Sequence, residues 1–108
     1  LVGRTKSNLE STLSMLNNPS QHFIFSMDVR DYQAWKNNLR FVNAETLNIS
    51  AVFANAGIGG ENHYGENDRW DDIISTNLTG TYATIMEALP YLTKSTEEFK
   101  HIVITSSC

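Results

Sequence analysis

Residues 50–60 read SAVFANAGIGG. The apolar run Ala51–Ala54 stops at Asn55, passes through Ala56 and Gly57, and opens into a glycine-rich loop, GIGGENHYGEN, over 57–67. A strand that merely turns back to solvent has no need of this ending. Alanine and glycine let a backbone approach a flat ligand, and Gly57 can take a positive φ without steric cost. An asparagine at a strand tip can pair with backbone groups that would otherwise be buried unsatisfied. The stretch therefore predicts a buried strand, ISAVFAN, whose carboxyl end borders a groove.

Working outward from it, apolar strand-like runs alternate with helical periodicity. Residues 1–3 read as the end of a strand. From about Thr5 to Asn17, Leu9, Leu13 and Leu16 fall on one helical face, with Ser7 and Glu10 spaced as a capping box. NNPS marks the stop. HFIFSMDV, residues 22–29, predicts a second buried strand. Asp31 is placed to cap a helix lined by Trp35, Leu39 and Val42. After the NAG corner a long helix runs from about Asp68 into the low 90s. Ile74, Leu78, Tyr82, Ile85 and Leu89 form its apolar stripe, and Pro90 lies near its end. Within it, STNLTG (75–80) gathers poor helix formers and predicts a local distortion. HIVITSS, residues 101–107, is a last strand. Alternating strands and helices predict an α/β fold with a parallel sheet and right-handed crossovers.

Composition narrows the function classes. The 108 residues suffice for one small domain. With 41% hydrophobic residues and a net charge of −4, the chain suits a globular core and opposes nucleic-acid binding, which needs a basic surface. No apolar run approaches a membrane span, and LVGRTKSNLE has no signal-peptide pattern. The single cysteine, Cys108, cannot form an internal disulfide. That favours a reducing, cytoplasmic setting. His22, His63 and His101 lack metal-ligand spacing, so no metal site is expected. The sequons at 48–50 and 77–79 fall inside core elements and read as chance. The first residue is not Met, and both ends are strand-like, so the chain reads as an internal stretch of a longer one.

In open α/β sheets ligands lie across the carboxyl ends of the strands. Four such ends carry notable residues: Gly3-Arg4, Asp28-Val29, Asn55-Ala56-Gly57 and Ser106-Ser107. With Asn77 in STNLTG, this order resembles the short-chain dehydrogenase/reductase family across all 108 residues, Ala54 replacing a second Asn the family usually shows. The family's TGxxxGxG turn would precede Leu1 and its Tyr-x-x-x-Lys motif would follow Cys108. The resemblance implies a partial Rossmann fold, a doubly wound parallel sheet from the end of strand 2 to strand 5. In strand order 3-2-1-4-5-6, the family's first strand would sit between the second and the fourth, so these residues alone would leave a gap in the sheet.

The resemblance also implies roles. Arg4 stands where an NADP site places a cation for the 2′-phosphate. This favours NADP(H), with NAD(H) as the alternative; Lys6 would add charge. A solvated surface arginine is the plain reading. Asp28 and Val29 would hold the adenine, although Asp28 alone could simply open a turn. Asn55 would brace the sheet through backbone bonds while Ala56 and Gly57 line the cofactor groove. Asn77 would hold a helix bend in a proton relay. Ser107 would orient a substrate carbonyl by hydrogen bonding. The implied protein is an oxidoreductase moving a hydride between NADP(H) and a carbonyl or alcohol, oligomeric as a dimer or tetramer through the long helix. A dinucleotide-binding sensor without activity and an unrelated flavodoxin-like module are the rivals.

Overall fold

In a computed structural model the described residues are 1–45, 48–63, 65 and 67–106. Strand β1 (Val2–Gly3) leads into helix α1 (Lys6–Ser14), and a 3₁₀ turn at Pro19–Gln21 leads to β2 (Phe25–Ser26). Helix α2 (Tyr32–Ala44) and strand β3 (Ala51–Ala54) follow. The long helix comes in three pieces: α3 (Trp70–Ile74), a π-helical stretch (Ser75–Gly80) and α4 (Thr81–Lys94). Strand β4 (His101–Ile104) is last.

Local chemistry sets these limits. Asp31 caps α2, its carboxylate accepting from the Ala34 amide at 3.0 Å. The expected Ser7–Glu10 capping box does not form. The helix already begins at Lys6, with Thr5 as a cap that makes no side-chain bond, so Ser7 lies inside it. Asn18 takes a left-handed φ of 54° and ends the α1 region just before Pro19. The second strand is far shorter than the eight residues anticipated. It pairs only with two-residue β1, in the register Val2–Phe25 and Gly3–Ser26, and a ladder cannot outrun its partner.

The two strand pairs are both parallel, and they stay separate. β1 pairs with β2, β3 pairs with β4, and among the described residues no ladder joins the pairs. The two pairs stand apart where the resemblance leaves a gap in the sheet, between the family's second and fourth strands. Between them runs a groove of about 530 Å³ lined by Val2, Val29, Trp35, Val52, Ala54 and Ala88 among others. Below it lies the core of Met27, Val29, Trp35, Leu39, Ala83 and Ala88. Trp35 is anchored there by its indole N–H, which donates to the Val29 carbonyl at 2.8 Å.

The long helix turns a different face inward than its large apolar residues suggest. Thr76, Gly80, Ala83, Thr84, Ala88 and Leu92 are buried. Leu78 and Tyr82 of the expected stripe are 63% and 59% exposed. Small residues allow close approach to the neighbouring elements, so they win the inner face and the bulky ones look outward. Pro90 does not end the helix, which continues to Lys94. β3 is also less buried than its apolarity suggests, with Phe53 68% exposed. Every residue of β4 is exposed. The surface totals 7779 Å², where a compact monomer of 12.2 kDa would expose roughly 6,100 Å². The radius of gyration, 15.3 Å, likewise exceeds the roughly 13 Å of a compact domain of this length.

Candidate functional site

Three strand ends meet at one small cavity. Gly3 and Arg4 from β1, Met27, Asp28 and Val29 after β2, and Ala56, Gly57 and Ile58 after β3 line it together with Thr76 from the π-helical stretch. Its volume is about 170 Å³. The larger inter-sheet groove is apolar and lies along the strands, where it offers little polar chemistry; the polar groups converge on the smaller space. Of the residues singled out in the sequence, Arg4, Asp28, Val29, Ala56 and Gly57 are brought together here. Asn55 instead borders the groove, and Asn77 stands behind the cavity wall. Ser107 lies outside the described residues.

Asp28 sits where the chain turns from β2 into α2. Its Oδ1 accepts from the Arg30 amide at 2.9 Å, which closes a side-chain turn. The Arg30 guanidinium grips the same carboxylate from Nε (3.0 and 3.1 Å) and Nη2 (2.7 Å). Arg30 then reaches across to the long helix, with Nη1 at 3.0 Å from Asp72 Oδ1 and 2.9 Å from Ser75 Oγ. These bonds from Arg30 hold the Asp28 carboxyl below its ordinary value, against partial burial, which pushes it up; the more distant Arg4 charge adds slightly. Asp28 is thus both the turn-former of the plain reading and a wall of the cavity. Arg30 was not singled out in the sequence; an arginine set between two acids, DVRD at 28–31, was the available signal.

Arg4 is exposed and makes no ion pair among the described residues, while its carbonyl accepts from Ser26 Oγ at 3.1 Å. Lys6, expected to add charge beside it, is engaged with Glu10 at 3.7 Å.

The corner after β3 is organised differently from the expectation. Asn55 Oδ1 accepts from the Thr105 hydroxyl at 2.6 Å. Asn55 therefore meets the tip of β4 through a side chain, where a bond from it to backbone was expected, and stands beside the backbone bond from the Thr105 amide to the Ala54 carbonyl at 3.2 Å. Gly57 does not use a positive φ; that conformation belongs to Gly60 and Gly65. What Gly57 supplies is room, since a Cβ there would lie 3.3 Å from Asn77 Oδ1.

Asn77 closes a two-point clamp on the loop. Its Oδ1 accepts from the Ile58 amide at 2.8 Å and its Nδ2 donates to the Ile58 carbonyl at 2.9 Å. Its own carbonyl accepts from Thr81 Oγ1 at 2.7 Å. The distortion expected around it is the π-helical stretch, a feature often found at functional sites. Three residues on, Gly80 allows this stretch to touch the cavity wall, because a Cβ there would fall 2.6 Å from Val29 Cγ2. Among the described residues there is no group of three His, Cys, Asp or Glu suited to a metal, and no helix is long and apolar enough to cross a membrane.

This arrangement has clear relatives. The family model for short chain dehydrogenases matches residues 1–108. A short-chain type dehydrogenase/reductase of Mycolicibacterium smegmatis is 32% identical, over 95% of this chain and 38% of its own length. Serine dehydrogenase from Escherichia coli superposes with a TM-score of 0.80 at 27% identity, covering 98% of this chain and 49% of that one. A 3-ketoacyl-ACP reductase from Sinorhizobium meliloti gives 0.79 at 28% identity, covering 98% and 42%. The chain thus spans less than half the length of each of these relatives. With parallel strands alternating with helices, three strand ends converging on one cavity and a family match along its whole length, this chain belongs to the short-chain dehydrogenase/reductase family.

Proposed function

We propose that this chain forms the adenosine-binding half of an NAD(P)-dependent oxidoreductase acting on a small carbonyl or alcohol substrate, with NADP(H) favoured. The observation that carries the reading is the convergence of Gly3-Arg4, Asp28-Val29 and Ala56-Gly57 on one cavity. The residues fit the group. Small side chains leave space for a planar base, Asp28 presents a carboxylate at the rim, and the unpaired Arg4 suits a phosphate. The buried Thr76 hydroxyl, without a partner among the described residues, is a further polar contact for a ligand. When bound, the dinucleotide would supply the hydride chemistry at its nicotinamide ring.

The chain's own residues do the rest. Val29 packs on the base and Asp28 accepts from its amino group. Arg4 attracts a 2′-phosphate, a charge-assisted contact of about 1.5–3 kcal/mol, or roughly ten- to a hundredfold in cofactor choice. Asn77 fixes the loop at Ile58 and the course of the helix beside it. Ser107 is proposed to hold the substrate carbonyl oxygen by its hydroxyl. The outward apolar face of the long helix, with Leu78, Tyr82 and Met86 exposed, is proposed as a contact between copies of the chain.

The test is kcat/KM measured with NADPH and with NADH over a panel of small ketones, alongside direct binding of both cofactors. Turnover with a preference for NADPH supports the reading. A preference for NADH overturns the assignment of Arg4. Tight cofactor binding without turnover of any substrate would instead favour a dinucleotide-binding regulator.

A further inference from the structure

Arg30 stands next to the small cavity without lining it, yet it holds one of its walls. Asp28 and Val29 line the space; Arg30 does not. Its guanidinium directs two nitrogens at the Asp28 carboxylate, Nε at 3.0 Å from Oδ1 and 3.1 Å from Oδ2, and Nη2 at 2.7 Å from Oδ2. The Arg30 amide adds a bond to Oδ1 at 2.9 Å. The far end of the guanidinium is held in turn, because Nη1 donates to Asp72 Oδ1 at 3.0 Å and to Ser75 Oγ at 2.9 Å. Its stem passes the long helix at Gly80, where a Cβ would lie 3.8 Å from Arg30 Cγ.

The consequence is chemical. The Asp28 side chain is 31% exposed, so without a partner it would be free to change rotamer. A planar fork anchored at both ends removes that freedom. An ionised carboxylate only accepts hydrogen bonds, along about four directions. Arg30 takes up most of these, and its bonds hold the carboxyl below its ordinary value, so the group stays ionised. What remains is a fixed acceptor at the cavity wall. A base set against it must bring a donor. Adenine brings an amino group at C6. Hypoxanthine has the same outline and brings a carbonyl oxygen, which would be left unpaired beside a negative charge. Rejection of that kind is strongest where the protein group cannot turn aside.

We propose that Arg30 is a positioning residue for base recognition: by fixing the Asp28 carboxylate from behind, it sets the preference of the site for a 6-amino purine over a 6-oxo purine. This rests on the cofactor reading above and adds to it a residue that touches no ligand. Arg30 also ties the β2–α2 turn to the long helix, so its loss disturbs the fold as well. The two roles separate in one quantity. A purely structural arginine affects all nucleotides alike, whereas a positioning arginine changes the ratio between two bases.

The experiment is calorimetric titration with AMP and with IMP, at neutral pH, of an enzyme of full family length carrying these residues, beside its Arg30→Met and Arg30→Lys variants. Both nucleotides are measured on one preparation, so a lower folded fraction weakens both and leaves their ratio unchanged. Wild type should prefer AMP about ten- to a hundredfold. Arg30→Met frees the Asp28 carboxylate and should cut that preference about three- to tenfold. Arg30→Lys keeps the charge without the fork, so its preference should fall between the two; it also serves as the test should methionine prevent folding. An AMP preference unchanged in Arg30→Met, or in Arg30→Lys where the methionine variant does not fold, overturns the proposal and leaves the cofactor reading standing. Equal binding of AMP and IMP by wild type also overturns it, since Asp28 then does not read the base. If wild type binds neither AMP nor NADP⁺ nor NAD⁺, the cofactor reading falls and the proposal falls with it.

Discussion

Asn77 pairs with both main-chain polar groups of Ile58 at once, through its carbonyl oxygen at 2.8 Å and its amide nitrogen at 2.9 Å. One side chain therefore does for the loop after β3 what a neighbouring strand would do for a ladder. Asn77→Ala leaves a partly buried N–H and C=O unpaired, at a cost of about 1–3 kcal/mol. Asn77→Asp keeps the acceptor and loses the donor, so it should fall between. Urea unfolding at neutral pH of an enzyme of full family length carrying these residues, with cofactor titration beside it, checks the order.

Gly80 and Val29 are in contact at the back of the cavity, and Gly80→Ala would drive its Cβ to 2.6 Å from Val29 Cγ2. The backbone of Gly80 is ordinary helix, with φ of −63°, so the substitution is not opposed by conformation. Overpacking should cost about 1–3 kcal/mol and loosen nucleotide binding. Adding Val29→Ala should restore part of the stability. Strict additivity of the two changes in a double-mutant cycle would contradict the contact.

Arg30 ties Asp28 to the long helix, and the pair gives a pH signature. The Asp28 carboxyl titrates in the folded chain below its ordinary 3.8. The group therefore stabilises the fold above that pH, and the contribution disappears as pH falls from 3.8 toward the lowered folded value. Arg30→Met should lower the urea midpoint at pH 7 and leave a smaller deficit at acid pH, where wild type has lost the same contribution. An equal deficit at both pH values would mean that the Asp28–Arg30 pair is not its source.

Arg4→Ala should reduce kcat/KM for NADPH about ten- to a hundredfold and leave the NADH value nearly unchanged. A parallel loss with both cofactors would assign Arg4 to the fold.

The 108-residue chain by itself exposes 7779 Å² and keeps its two strand pairs apart. In isolation it should show no cooperative thermal transition by circular dichroism. A sharp, reversible melt with native-like helix content would show that the short pairs and the core around Trp35 suffice.

The parts of this structure that could be read in the sequence are those governed by local chemistry. Asp31 as a cap, the alternation of helices with parallel strands and the distortion at STNLTG all follow from residue types and spacing. The errors arose where a partner decides the outcome. β2 was expected to run over 22–29 and extends only as far as β1 can pair with it. The stripe of large side chains on the long helix was expected inward, but the alanines and glycine that permit close packing took that face. Arg30 and Thr76 escaped notice because their roles come from bonds, made or missing, to elements far away in sequence.

The π-helical stretch has a directional consequence. An α-helix rotates about 100° per residue, and a π turn takes up roughly one extra residue. Ser75–Gly80 therefore acts as a phase adjuster, setting which side of every later residue looks at β3. Removing a single residue there would let the stretch close as ordinary α-helix with Ala83, Ala88 and Leu92 still inward, whereas the same deletion within α4 would rotate the following residues by about 100°. The azimuth of fourteen downstream residues in α4 is thus preserved by a segment of six.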